Sequence, residues 1–184
     1  KLFLNNMPEI FKLWKGGMSF HGGFIGVVLA IYIFSYYKKI NYKIYFDTIC
    51  CVAPIGIFFG RIANFINGEL YGVPTNKPWG IIFPEVDNLT RHPSQIYEAL
   101  LEGLILFVIL NFILRKKILG NGMISSLFLI CYGIFRIISE QFREPDKHIG
   151  YVIESLSMGS ILSSAMIIFG FIFLSKIILN EKNR

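Results

Sequence analysis

Charge is scarce in this chain. Asp, Glu, Lys and Arg make up 16% of its 184 residues, where soluble domains carry roughly 25%. Hydrophobic residues reach 54% and the mean hydropathy is +0.56. One core cannot hide that much apolar surface from water, which excludes an ordinary soluble domain. Cysteine is nearly absent. Cys50, Cys51 and Cys131 all lie in apolar runs and form no CxxC pair, so they read as buried, inert thiols rather than a disulfide framework or a metal site. No internal repeat or low-complexity linker divides the chain, and a single domain over residues 1–184 is expected. Acidic residues are outnumbered, 12 against 18 Lys and Arg, for a net charge of +6. In a soluble protein that would raise nucleic acid. Here no recognition motif accompanies it, and basic residues between membrane spans set orientation, so no nucleic-acid partner is expected. No basic n-region followed by a short apolar core and a small-residue cleavage site is visible. Residue 1 is Lys rather than Met, and the chain is expected to start partway through a longer protein.

Long apolar runs are what the chain has instead. Five stretches come near the roughly 20 residues needed to cross a bilayer core: about 20–37, 47–66, 96–114, 122–142 and 152–178. Backbone polar groups in lipid must be satisfied within the segment, so these are helices, and no alternating ten-residue strands suggest a barrel. The fold class is therefore all-α, a polytopic integral membrane helix bundle with about five transmembrane helices. Residues 1–19 read as an amphipathic lead-in, with Trp14 and Phe20 suited to the membrane interface. The longest loop, 67–95, holds Trp79 and four prolines, at 74, 78, 84 and 93. Nine basic residues fall on one side of the spans, in "KKINYK", "RKK" and the C-terminal Lys176, Lys182 and Arg184. Seven fall on the other, spread over a tail and a long loop, where they count for little. The lysine-rich turns are thus assigned to the cytoplasm.

Polar residues from separate spans then gather at the opposite membrane end. Alternate spans run in opposite directions. This brings together His21, then Arg61, Asn64 and Glu69, then His92, Gln95, Tyr97 and Glu98, and finally Tyr132, Arg136, Glu140 and Arg143. A charge at mid-bilayer costs about 2.5–3.5 kcal/mol on insertion scales, and "FGRIANFINGELYG" (59–72) sets Arg61 among apolar neighbours. Arg61, Arg136 and Arg143 offer planar donor forks that match phosphate geometry, and the charges do not balance pairwise, so an anion arriving with lipid is expected. Gly16, Gly17, Gly22, Gly23 and Gly26 around His21 allow close approach of a helix or a headgroup. Two other readings are carried: a transporter, which would distribute polar residues through the membrane depth rather than at one end, and a structural protein using the charges as helix glue.

Four stretches carry a resemblance. "GGMSFHGGFIG", "GRIANFINGELYG", "RHPSQIYEALLEG" and "YGIFRIISEQFREPD", in that order, resemble the bacterial prolipoprotein diacylglyceryl transferases. The resemblance implies a seven-span inner-membrane enzyme, so this chain is expected to lack the first two spans, an even number that leaves topology unchanged. It implies transfer of the diacylglyceryl group of phosphatidylglycerol to the lipobox cysteine of a prolipoprotein, releasing glycerol phosphate, with no cofactor or metal and with the site toward the periplasmic leaflet. For that chemistry His21 is the first choice of base for the thiol, since imidazole titrates near neutrality. Glu69 and Glu140 are alternatives, or else hold the arginines in place. Arg61 grips the lipid phosphate with Arg136 assisting and Arg143 beside them. Asn64 and Asn67 orient the headgroup, Gly72 lets the loop close and Tyr132 donates to the leaving oxygen. His92, Gln95, Tyr97 and Glu98 are secondary candidates.

Overall fold

The computed structural model describes residues 20–114, 122–145, 151–153 and 156–182, with the side chains at 20, 21, 113, 114, 151–153 and 156 outside the description. The expected lead-in at 1–19 lies outside the described residues. The protein forms two compact units, one ending at Tyr42 and the other beginning at Lys43.

In the first unit, α1 (Phe20–Lys38) is an apolar helix closed by the turn at Lys39, whose φ of +53° lets the Ile40 N–H reach the Ser35 carbonyl at 3.2 Å. The second unit holds α2 (Tyr42–Ile66), α3 (Ser94–Glu98) running on through a π-helical stretch (Ala99–Ile105) into α4 (Leu106–Leu114), α5 (Met123–Glu140) and α6 (Met158–Lys182). Two small hairpins are the strands of the described residues: β1 (Ile81–Ile82) with β2 (Thr90–Arg91), and β3 (Tyr151–Ile153) with β4 (Leu156–Ser157). Among the described residues, four segments are long and apolar enough to cross a membrane, Tyr42–Ile66, Ser94–Phe112, Met123–Glu140 and Met158–Lys182, while Gly22–Lys38, in the expected first span, is a shorter apolar helix. The helical membrane architecture is as expected, with shifted boundaries. The second span starts at Tyr42 rather than 47. The fifth starts at Met158 rather than 152, because the run before it pairs as β3–β4.

Asp47 explains the first shift. It is fully buried inside α2, where its carboxylate accepts the Gly122 N–H at 3.0 Å, the Ser125 N–H at 2.9 Å and the Ser125 hydroxyl at 2.6 Å. Gly122 stands at the N-cap of α5 with no side chain to offer, so a residue from another helix satisfies the exposed donors and faces the positive end of the dipole. Near this end Cys51, Leu106, Leu110 and Ile124 form the apolar core, with Cys50 and Cys131 half-buried against it. The cysteines are thus packing residues.

Small residues set the helix spacing. A Cβ at Gly133 would sit 2.8 Å from the Ser163 carbonyl, and one at Gly170 would sit 2.9 Å from the Ser126 carbonyl, so α5 and α6 touch nearly backbone to backbone. At Gly103 an added Cβ would lie 2.6 Å from the Phe58 Cβ and 2.8 Å from its Cα. Neither helix can give easily. Gly103→Ala is expected to destabilise by about 1–3 kcal/mol, read as a lower midpoint in a detergent thermal scan. An unchanged midpoint would contradict this packing.

Candidate active site

The C-terminal end of α2, the start of α3 and the end of α5 meet around one knot of charge. Arg61, in the last turns of α2, places Nε 2.9 Å from Glu98 Oε2 and Nη2 3.5 Å from Glu102 Oε2. Arg136 of α5 places Nη1 2.6 Å from Glu98 Oε1 and 3.5 Å from Glu102 Oε1, while its Nη2 pairs with Glu140 one turn later. Arg143, just past α5, reaches Glu98 Oε1 with Nη1 at 3.5 Å. The Ser139 hydroxyl donates to Glu102 Oε1 at 2.9 Å. Glu98 and Glu102 have fully buried side chains, and the Arg61 side chain is 17% exposed against 11% for Arg136. Arg61 thus has the more exposed side chain of the two, and its Nη1 has no protein partner among the described residues. The cluster holds three guanidiniums against three carboxylates. They are equal in number but not paired one to one, since Glu98 meets all three arginines and Arg136 all three carboxylates. Glu102, absent from the sequence candidates, stands in the cluster where the exposed Glu69 was expected.

Glu140 is anchored from a second direction. Ser157 caps α6 by accepting the Ser160 N–H at 3.1 Å, and its hydroxyl donates to Glu140 Oε1 at 2.8 Å. A Cβ at Gly159 would lie 2.7 Å from that oxygen. The carboxylate thus lies against the N-terminus of α6, where the helix dipole favours negative charge. Tyr132, one turn before Arg136, stacks on Phe128 with ring centroids 5.6 Å apart and lies within electrostatic reach of Glu102, Arg136 and Arg61.

The loop beyond α2 covers this end. Gly68, at φ +68°, ends the helix in the left-handed conformation that glycine adopts without penalty. The chain then threads between two others. Gly72 N–H donates to the His92 carbonyl at 3.0 Å, Val73 N–H to the Phe142 carbonyl at 3.0 Å, and Glu144 N–H to the Tyr71 carbonyl at 3.1 Å. A Cβ at residue 72 would overlap the His92 carbonyl and approach that of Phe142 to 2.5 Å, so Gly72 is required by this three-stranded contact. Arg91 pins the same point. It donates from Nη1 to the Gly72 carbonyl at 2.9 Å and to Glu144 at 3.1 Å, and from Nη2 to Asp87 at 2.6 Å, with its guanidinium over the Tyr71 ring. The Asp87 hydrogen bonds hold its pKa above the ordinary arginine value. In the sequence, Arg91 counts only among the seven basic residues spread over the tail and the long loop. The signal that could have found it, a cation four residues after Asp87, is weak outside a helix.

The remaining candidates divide. Gln95 is fully buried and donates from Nε2 to the Glu69 carbonyl at 2.7 Å. Since a carbonyl only accepts, this fixes the amide orientation and leaves Oε1 without a partner. His92 Nδ1 lies 3.1 Å from the Tyr97 hydroxyl, which also accepts the Trp79 Nε1–H at 2.8 Å. His92 thus organises the turn into α3. The Asn64 carbonyl accepts the Glu69 N–H at 2.9 Å and the Ala63 carbonyl accepts that of Asn67. The Glu69 side chain is exposed and joins no ion pair among the described residues. His21 falls in α1 of the first unit, with its side chain outside the described residues. No group of three or more His, Cys, Asp or Glu residues with metal-ligand placement occurs among the described residues.

A family profile described as prolipoprotein diacylglyceryl transferase matches residues 2–176. The chain belongs to the prolipoprotein diacylglyceryl transferase family. It is 53% identical over 176 residues to the phosphatidylglycerol–prolipoprotein diacylglyceryl transferase of Rickettsia bellii strain OSU 85-389, covering 95% of this chain and 67% of the relative. It is 54% identical to that of Rickettsia akari, covering 88% and 63%, and 50% identical to that of Rhodopseudomonas palustris, covering 91% and 60%. The chain therefore spans about two thirds of the length of the curated relatives it matches. As a family member it is a membrane-embedded transferase, and three of the four motifs that carried the resemblance, all but "GGMSFHGGFIG", supply Arg61, Gly72, Arg91, Glu98, Glu102, Arg136 and Arg143 to one connected end of the second unit.

Proposed function

We propose that the chain transfers the diacylglyceryl group of phosphatidylglycerol to the lipobox cysteine of a prolipoprotein, in the bacterial inner membrane with its site toward the periplasmic leaflet. The observation that carries the reading is the Arg61 guanidinium, held at two nitrogens by buried carboxylates with Nη1 uncommitted. The remaining Nη1–H groups can donate to an oxygen of the tetrahedral phosphate, a charge-assisted hydrogen bond. The attacking sulfur bonds the glycerol carbon, the bond from that carbon to the phosphate oxygen breaks, and the oxygen keeps the electron pair as glycerol phosphate departs. Negative charge grows on the phosphate in that step, and a preorganised cation there acts on the transition state. Arg136 is saturated by Glu98 and Glu140 and holds the carboxylates that aim Arg61. Arg143 serves the same carboxylate from the covering turn, and Tyr132 donates to the leaving oxygen. Asn64, Asn67 and Gly72 line the headgroup approach.

The thiol proton goes to a base, with His21 first and the exposed Glu69 second. A neutral imidazole accepts the proton and an imidazolium cannot, so His21 as base gives the pH–rate profile a rising limb. His21→Gln is expected to remove that rising limb, and an unchanged pH–rate profile would take His21 out of the mechanism. The activity itself is tested with labelled phosphatidylglycerol and a lipobox peptide in vesicles carrying the chain, where absence of label on the peptide overturns the reading. A second reading has its own support. Three carboxylates balance three guanidiniums, as charges used purely as helix glue would do. It expects a folded, inserted chain that transfers nothing.

A further inference from the structure

The hairpin between residues 77 and 91 belongs to no membrane span, yet it exposes large apolar side chains. Trp79 is 55% exposed, Ile82 51% and Leu89 52%. It is also firmly built. Gly80 N–H donates to the Lys77 carbonyl at 3.0 Å and Thr75 N–H to the Thr90 carbonyl at 2.8 Å. A Cβ at Gly80 would sit 2.7 Å from the Thr90 methyl. Arg91 then ties the hairpin to Gly72 and Glu144.

Two observations say what covers the apolar side chains. The hairpin is joined through residues 92–93 to the span Ser94–Phe112, whose Leu100, Leu104 and Ile105 are likewise exposed, so exposed apolar side chains run from the hairpin into a membrane span along one segment of chain. The Trp79 Nε1–H is bonded at 2.8 Å to the hydroxyl of Tyr97, in the first turn of that span, which fixes the indole at the depth where the helix leaves the hydrocarbon. An indole with its N–H satisfied and its ring exposed at that depth suits the headgroup boundary. Lys77 and Glu85, both exposed, offset each other, so apolar contact rather than charge holds the hairpin there.

We propose that the 77–91 hairpin lies in the headgroup layer of the leaflet that carries the ion cluster, anchored by Trp79 with Ile82 and Leu89. Because Arg91 couples it to the strand holding Gly72, the cover of the cluster rests on lipid rather than standing in water. The proposal is independent of the transferase activity.

Trp14→Phe leaves Trp79 as the single indole. In phosphatidylcholine vesicles carrying the full chain, its fluorescence is expected to be quenched most by a headgroup spin-labelled lipid, less by a lipid brominated in mid-chain, and several-fold less by aqueous iodide. Adding phosphatidylglycerol leaves that order unchanged. Tyr97→Phe in the same background is expected to raise iodide quenching and shift emission to the red. Strongest quenching by iodide, or by the mid-chain bromine, overturns the placement. So does iodide quenching that a lipobox peptide abolishes, since the hairpin would then dock peptide rather than lipid. Tyr97→Phe without effect overturns the anchoring.

Discussion

Arg61→Ala is expected to abolish diacylglyceryl transfer while the chain still inserts. Removing one preorganised donor from a developing oxyanion costs about 10²–10³-fold in rate. Here the loss is compounded, because Glu98 and Glu102 keep their charge with one guanidinium fewer between them. Arg61→Lys retains the charge but cannot hold two carboxylates and present a third nitrogen from one plane, so it is expected to fail nearly as badly. Turnover of labelled phosphatidylglycerol, compared at equal amounts of inserted protein, measures both. Near-normal transfer by either variant would remove Arg61 from the phosphate role.

Glu98→Gln carries the second large expectation, and it falls on stability as well as rate. Both Glu98 oxygens lie at ion-pair distance from guanidiniums, one from Arg61 and the other from Arg136 and Arg143, so three segments lose their common counter-charge at once. Breaking a buried pair from one side costs about 3–5 kcal/mol, because the partner charge stays behind. Glu102→Gln is expected to cost less. Both guanidiniums near it stand at 3.5 Å, and its 2.9 Å bond comes from the neutral Ser139 hydroxyl. Detergent thermal midpoints of the two variants decide the order. If Glu102→Gln proves the more damaging, the weight given to Glu98 is misplaced.

Much of this was legible before any coordinates. Apolar runs separated by basic turns fix helices within a few residues, since lipid allows the backbone little else. Isolated charges in such runs are costly enough to mark a site, which is how Arg61, Arg136 and Glu140 stood out. Glu102 did not, because "ALLEGLILF" reads as unbroken hydrocarbon and its carboxylate was never weighed against the arginines. Its spacing of four from Glu98 was the available clue. Asp47 misled in the opposite way. An acid at the edge of an apolar run reads as a boundary, whereas its role depends on Gly122 and Ser125, more than seventy residues away. Arg91 and Gly72 owe their importance to chain crossings that no local pattern encodes.

The π-helical stretch has a consequence for how this span tolerates change in length. The Leu106 N–H reaches back five residues to the Leu101 carbonyl, so the segment holds more chain per turn than the α-helix on either side. Losing a single codon there would let the coil tighten to ordinary pitch. That tightening would offset the rotation lost with the residue, so Gln95 and Glu98 upstream and Leu106 and Leu110 downstream would keep nearly the same relative facing. The same loss in the purely α-helical part of the span would turn one side against the other by about 100°, so the wide turn is where this span can absorb a change of one residue.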